Sequence, residues 1–243
     1  MYSFKSRVRY SETGEDGRLS LAGMINYMQD CSTFHSEDCG VGVDYLEKQG
    51  KAWLLASWQI EIGRRPRLGE RLEAGTWHNE SRGIYGYRSF VIRDQEGRDC
   101  VRANSVWFLY DLKKGGPVRV RPEDTAAYGE PGPRLELGPA PRRIVLPGEY
   151  EEREPVVIAR HHLDTNHHVN NAQYVEFARE ALPEGFEERR VQADYRRAAH
   201  LGDTVFPRVS SLGNGVWVTA LCSRGGEPYA VVRLEAEHTK KAG

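Results

Sequence analysis

Seven of the twelve prolines fall between Lys113 and Tyr150: Pro117, Pro122, Pro131, Pro133, Pro139, Pro141 and Pro147. Proline fixes φ and removes a backbone donor, so this stretch is expected to be neither regular helix nor sheet. It divides a chain of 243 residues, a length that suits one large domain or two small ones. We read residues 1–128 as an N-terminal domain and 150–243 as a C-terminal one. Residues 129–149 are the Pro-rich linker, partly ordered along a surface.

The same order of elements stands on each side. In the first half an extended segment, Tyr2 to Tyr10, precedes a helix from about Ser20 to Asp38. Leu21, Met24, Ile25 and Met28 recur there at helical spacing. Ser20 can cap its start and Gly40 lies just past its end. Four strand-like runs follow, Trp53–Ile62, Arg71–Glu80, Ile84–Arg93 and Cys100–Leu112, punctuated by Gly69, Gly83 and Glu96-Gly97. In the second half an extended run, Glu154 to Arg160, precedes a helix from about Asn170 to Leu182, with Pro183 beyond it. Strand-like runs then cover Val191–Arg196, Thr204–Ser210, Val216–Ser223 and Tyr229–Glu237. Arg18–Asp30 aligns without gaps on His168–Glu180, and Leu68-Gly-Glu70 on Leu201-Gly-Asp203, which suggests a divergent internal repeat.

One long helix followed by antiparallel strands must hide its apolar stripe against the sheet. The expected fold class is α+β, two tandem hotdog domains, each a long helix wrapped by an antiparallel sheet. A single such sheet has an exposed edge that invites a second copy. Here the chain supplies that copy itself, and a homodimer stays open. Two unrelated α+β domains are the alternative.

Composition narrows the function classes. A net charge of -1 gives no overall attraction to nucleic acid or an anionic membrane. No apolar stretch of about 18 residues exists to span a bilayer, and Met1–Lys5 lacks the apolar core of a secretory signal. Cys31, Cys39, Cys100 and Cys222 are scattered, with no Cys-x-x-Cys pair. Reduced thiols in a cytoplasmic protein are expected.

The chemistry is concentrated in Arg160–Glu180. Asp164, Asn166 and His168 alternate, so in extended chain they would share one surface, and a helix begins directly afterwards. Imidazole is suited to activating water near neutral pH. A carboxamide can orient water or substrate without titrating. Backbone N–H groups at the helix start can meet a developing oxyanion. Where the carbonyl attacked is already activated, neither metal nor cofactor is expected. Four histidines, His161, His162, His167 and His168, raise the question of metal, but no ligand spacing is present. Asn170 and Asn171 read as caps and turn formers.

Leu163-Asp-Thr-Asn-His-His-Val-Asn-Asn171, Tyr174, Asp194-Tyr-Arg-Arg197 and Leu201-Gly-Asp203 resemble the acyl-acyl carrier protein thioesterases of plants and bacteria. Tyr10-Ser-Glu-Thr13 and Gly17 extend the likeness into the first half. The resemblance implies tandem hotdogs and hydrolysis of an acyl thioester on carrier protein. Asp164 would position or activate the site, and Asn166 and His168 would hold and activate the water. The family usually places a glutamate soon after Tyr195-Arg-Arg; here Ala198-Ala199-His200 follows, and no carboxylate occurs until Asp203. The first half has Gly14, Asp16 and Arg18 at the matching positions, so one active site is expected. That half would line the acyl tunnel, with Trp53, Trp58, Met24 and Met28 as wall candidates, though for any one of them plain core is the readier reading.

The partner implied is acyl carrier protein, which is acidic. Basic clusters at Arg64-Arg65 and Arg67, Lys113-Lys114, Arg142-Arg143 and Arg196-Arg197 could steer it. Arg64, Arg65, Arg196 and Arg197 are preferred because the repeat places them at matching points. The leading expectation is release of fatty acid from acyl carrier protein in fatty-acid synthesis. The alternatives are an acyl-coenzyme A hydrolase, a non-catalytic acyl-binding module and, more distantly, a dehydratase.

Overall fold

The computed structural model describes residues 1–141 and 143–236. The chain forms two compact units, Met1–Gly138 and the remainder from Pro139. In the first, β1 (Tyr2–Arg7) leads to helix α1 (Leu21–Asp38) and short helix α2 (Val43–Lys48). Strands β2 (Lys51–Ile62), β3 (Arg71–Arg82), β4 (Tyr85–Asp94) and β5 (Asp99–Asp111) follow. They pair antiparallel in the order β1-β3-β4-β5-β2.

Helix α1 begins where a serine can cap it: Ser20 Oγ accepts from the Gly23 amide at 3.0 Å. It stops at Gly40, whose φ of 72° only glycine adopts cheaply. Met24, Ile25, Met28 and Cys31 form its inward stripe, fully buried, and the helix packs on β3, β1 and β4. A Cβ at Gly23 would lie 2.7 Å from Leu19 Cδ1 and 3.0 Å from Glu12 O, so a larger residue there would have to displace the Leu19 side chain. The α2 helix lacks a long apolar period and was not expected from sequence.

The second unit repeats the plan. Helix α3 (Asn171–Glu180) is capped by Asn170, whose side chain accepts from Ala172 N. It packs on β8 (Val216–Cys222) and β9 (Pro228–Ala236). With β6 (Glu188–Tyr195) and β7 (Thr204–Gly213) these form an antiparallel sheet in the order β6-β9-β8-β7. Glu151–Glu152 adds two residues to the outer edge of β7. The segment expected to be one extended run, 154–160, is only a two-residue strand, Val156–Val157, before a 3-10 turn at Arg160–His162. Glu237, expected in the last strand, lies outside the described residues. Each unit is thus a helix laid against an antiparallel sheet, the hotdog arrangement.

The Pro-rich segment does more than connect. Its prolines interrupt any ladder, so its carbonyls and remaining amides must find other partners, and they find them on strand faces. Trp77 Nε1 donates to Pro133 O at 2.7 Å, Asn104 to Leu135 O at 2.9 Å and Gln59 to Gly138 O at 2.7 Å. It therefore crosses β3, β5 and β2 on the face away from α1, which is why β4 is buried on both sides. In the second unit Gln192 takes Pro141 O, the Asp194 carboxylate takes Ile144 N at 2.7 Å, and Ser210 takes Glu149 O. Ile144, 2% exposed, packs on Val218, Ala220, Cys222 and Val231. Alternation along β8 explains the division: Thr219 instead turns to α3 and donates to Ala178 O.

Candidate active site

The motif Asp164–His168 is a tight turn, not extended chain, which corrects the expectation of alternating side chains on a strand. Leu163 and Val169 form an isolated antiparallel bridge. Asp164 N donates to His168 O at 2.8 Å. The Asp164 carboxylate folds back into the loop: Oδ1 accepts from Asn166 N at 2.8 Å and His168 N at 3.2 Å. His167 takes a left-handed φ of 60°, uncommon for a side chain with a Cβ. Asn166 is exposed at the tip and His168 is half-buried. The three residues therefore belong to one five-residue loop, and one oxygen of the carboxylate is committed to its backbone.

The first unit builds the same loop from different letters. Thr13 bridges Leu19, Gly14 N donates to Arg18 O at 2.9 Å, and Gly17 has φ 67° where His167 stands in the second unit. Leu19 N donates to Pro66 O as Val169 N does to Ala199 O. Asp16 there is paired with Arg65 at 2.7 Å, and no imidazole is present. Only the second unit carries imidazole and carboxamide on this scaffold.

The loop is braced from behind. Tyr174 Oη accepts from Ala199 N at 2.8 Å, and Tyr195 Oη donates to Asn171 O at 2.9 Å. The two rings meet edge-on at 5.8 Å. Burial pushes Tyr174 up to about 12 and Tyr195 well above the ordinary phenol range, so both stay neutral struts. His162 Nδ1 accepts from Ala159 N, and its ring meets Phe177 at 5.1 Å. Burial, with His161 adding to it, lowers its basicity. It is a structural residue.

Sequence reading missed His200. Its ring meets that of His168 edge-to-face, with centroids 5.0 Å apart and planes at 87°. The signal was available: aligning Leu68-Gly-Glu70 with Leu201-Gly-Asp203 sets His200 opposite Arg67, and Arg67 bridges Arg18, the residue matching His168.

Other candidates fare differently. Met24, Met28 and Trp58 are buried, and Trp58 meets Phe90 edge-on at 4.9 Å. Trp58 Nε1 has no hydrogen-bond partner among the described residues. Trp53 is half-buried and lies over Gly86, where a Cβ would come 3.1 Å from its ring. The four preferred arginines are each engaged inside their own unit. Arg64 holds Glu70 and Asp94, Arg65 holds Asp16 and the Leu19 carbonyl, Arg196 holds the Ile144 carbonyl, and Arg197 pairs with Glu227 over the Tyr229 ring. Arg67 is exposed and has no ion pair among the described residues; Arg142 lies outside them. Among the described residues, three potential metal ligands gather only at Glu70, Asp94 and Cys100. Arg64 and Arg98 already neutralise those carboxylates, and burial pushes the Cys100 thiol up to about 11.

No helix among the described residues is long and apolar enough to cross a membrane. The chain is 26% identical over 220 residues to the chloroplastic acyl-[acyl-carrier-protein] hydrolase FATB3 of Cuphea viscosissima, covering 84% of this chain and 53% of that protein. It is 25% identical over 230 residues to oleoyl-acyl carrier protein thioesterase 1 of Arabidopsis thaliana, covering 84% and 62%. The chain thus spans roughly half to three-fifths of the length of these curated relatives. Two solved structures share its fold. An acyl-ACP thioesterase from Bacteroides thetaiotaomicron superposes with TM-score 0.88 at 20% identity, covering 97% of each chain. The 12:0-ACP thioesterase from Umbellularia californica gives 0.84 at 20%, covering 96% of each. The family's N-terminal domain matches residues 1–128 and its C-terminal domain residues 148–214, so the chain belongs to the acyl-ACP thioesterase family.

Proposed function

We propose that this protein hydrolyses fatty acyl thioesters of acyl carrier protein, releasing free fatty acid and carrier protein in fatty-acid synthesis. The observation that carries the proposal is the 163–169 loop: its backbone form is repeated in both units, yet only the second places Asn166 and His168 on it. Family membership supports the reaction class.

In this reading His168 takes a proton from water, whose oxygen attacks the thioester carbonyl carbon. The carbon–sulfur bond then breaks, and the thiolate leaves and is protonated. Asn166 holds the water by hydrogen bonds. Asp164 shapes the loop through Oδ1, which accepts two amides. The first unit takes the acyl chain, with half-buried Trp53 and buried Trp58, Met24 and Met28 as wall candidates. Carrier docking relies on Arg67 and on what charge Arg64, Arg65, Arg196 and Arg197 project beyond their internal partners. We place the reaction in the cytoplasm, where four unpaired cysteines are stable. Two copies could associate through β1, which pairs on one side only, with β3, among the described residues.

The test is thiol release by purified protein from acyl carrier protein and acyl-coenzyme A substrates at equal concentration. His168→Ala should lower the rate by about 10²–10⁴. Faster cleavage of the coenzyme A ester would reassign the substrate. Tight acyl-carrier binding without turnover would make the protein a binding module. A His168→Ala variant as active as the parent would refute the site.

A further inference from the structure

We propose that His200 is a positioning residue for His168, fixing the plane of its imidazole through their ring contact. The inference rests on the hydrolase reading above and adds a residue to it.

A base works only when its lone pair points at the proton it removes. Something must therefore hold the His168 ring. The nearest carboxylate in sequence, Asp164, does not: its Oδ1 is bonded to the amides of Asn166 and His168. Among the described residues His168 has no side-chain hydrogen bond, and its ring contact is His200, at 5.0 Å and 87°. Edge-to-face packing of this kind favours one ring orientation, even with the His200 side chain 60% exposed.

The fold itself brings these two positions together. Val169 N donates to Ala199 O at 3.0 Å, tying the residue after His168 to the residue before His200. Ala199 is in turn pinned by Tyr174, its N–H donating to the phenol at 2.8 Å. His200 N donates to Asp203 Oδ2 at 2.9 Å, so the turn carrying the ring is itself fixed. The Asp203 carboxylate stands 3.9 Å from His200 Nδ1, too far for a hydrogen bond to the ring. In the first unit Arg67 N makes the matching bond to Glu70, while Arg18 and Arg67 form a bridge. That unit thus has guanidiniums at the two positions where the second has imidazoles.

The role is mechanical, so a ring without nitrogen should serve. His200→Ala should lower kcat about two- to tenfold with KM within twofold of the parent. His200→Phe should restore most of kcat, because it keeps an aromatic edge and loses only proton chemistry. In the free protein, the ring resonances of His168 should move in His200→Ala, which reads the contact without any turnover. Unmoved resonances, an unimpaired His200→Ala, or a His200→Phe as defective as His200→Ala would each overturn the inference. A parent that shows the ring contact but cleaves no acyl thioester would instead refute the hydrolase reading.

Discussion

Replacing Asp164 separates a loop-forming carboxylate from a catalytic one. Its Oδ1 accepts two amides, at 2.8 Å and 3.2 Å. Hydrogen bonds to a charged acceptor contribute about 1.5–3 kcal/mol each when buried. This loop is partly exposed, so water recovers much of that, and about 1 kcal/mol per bond is the appropriate scale. Asp164→Ala should therefore cost about 2 kcal/mol, or roughly 4–8 °C in Tm for a chain of this size. Asp164→Asn keeps a carbonyl oxygen in the same place and should cost about half as much or less. In a thiol-release assay Asp164→Ala should lose about a hundredfold in kcat as Asn166 and His168 lose their setting. Asp164→Asn should stay within about fivefold of the parent, because an amide oxygen can shape the loop but cannot act as a base. An Asp164→Asn variant that keeps its Tm yet is as inactive as Asp164→Ala would show that the negative charge takes part in the reaction, and the loop-forming account would fall.

Three further outcomes follow from other parts of the molecule. His167→Gly, which copies Gly17 of the first unit, should relieve the left-handed strain at φ 60° and leave stability unchanged or up to about 1 kcal/mol higher, read by urea unfolding. Burial, with the Arg88 guanidinium beside it, pushes His35 down to about 4. The unfolded chain therefore binds the extra proton first as pH falls. Stability from this group is complete above about 6.5 and is lost toward pH 4, by at most about 3 kcal/mol; His35→Asn should flatten that part of the stability–pH curve. Ile144→Ala should destabilise the second unit by about 2–4 kcal/mol in chemical denaturation, because the strap residue fills a packed site on β8 and β9. A loss under about 0.5 kcal/mol would mean that the Pro-rich segment is a passive tether.

Much of the architecture was legible because it follows from local rules. Helical spacing of Leu21, Met24, Ile25 and Met28, a serine cap and a terminal glycine fixed α1 to within a residue. Alternation and turn glycines located the eight long strands to within about three residues at either end. The residue types of the loop motif, imidazole, carboxamide and carboxylate, were legible, and the chemistry proposed for them rests on that composition. The loop's shape was not: whether Asp164–His168 runs straight or turns depends on Asp164 bonding its own backbone and on His167 accepting a positive φ, and spacing alone does not register either. The arginines show the same limit. Arg64, Arg65, Arg196 and Arg197 read as free surface charge, yet each found a carboxylate or carbonyl partner, most of them far away in sequence.

The sequence by itself determined two helix-and-sheet units, the Pro-rich stretch between them, and which half carries the imidazole and carboxamide, because these depend on periodicity, on proline's missing donor and on residue identity. Only the tertiary structure decided that the Pro-rich stretch straps strand faces, that Asp164 builds a turn, and that His200 rests on His168. Those contacts join residues from 4 to nearly 80 positions apart. Their partners are chosen by how strands register and where backbone groups are left unpaired, which no local window of sequence records.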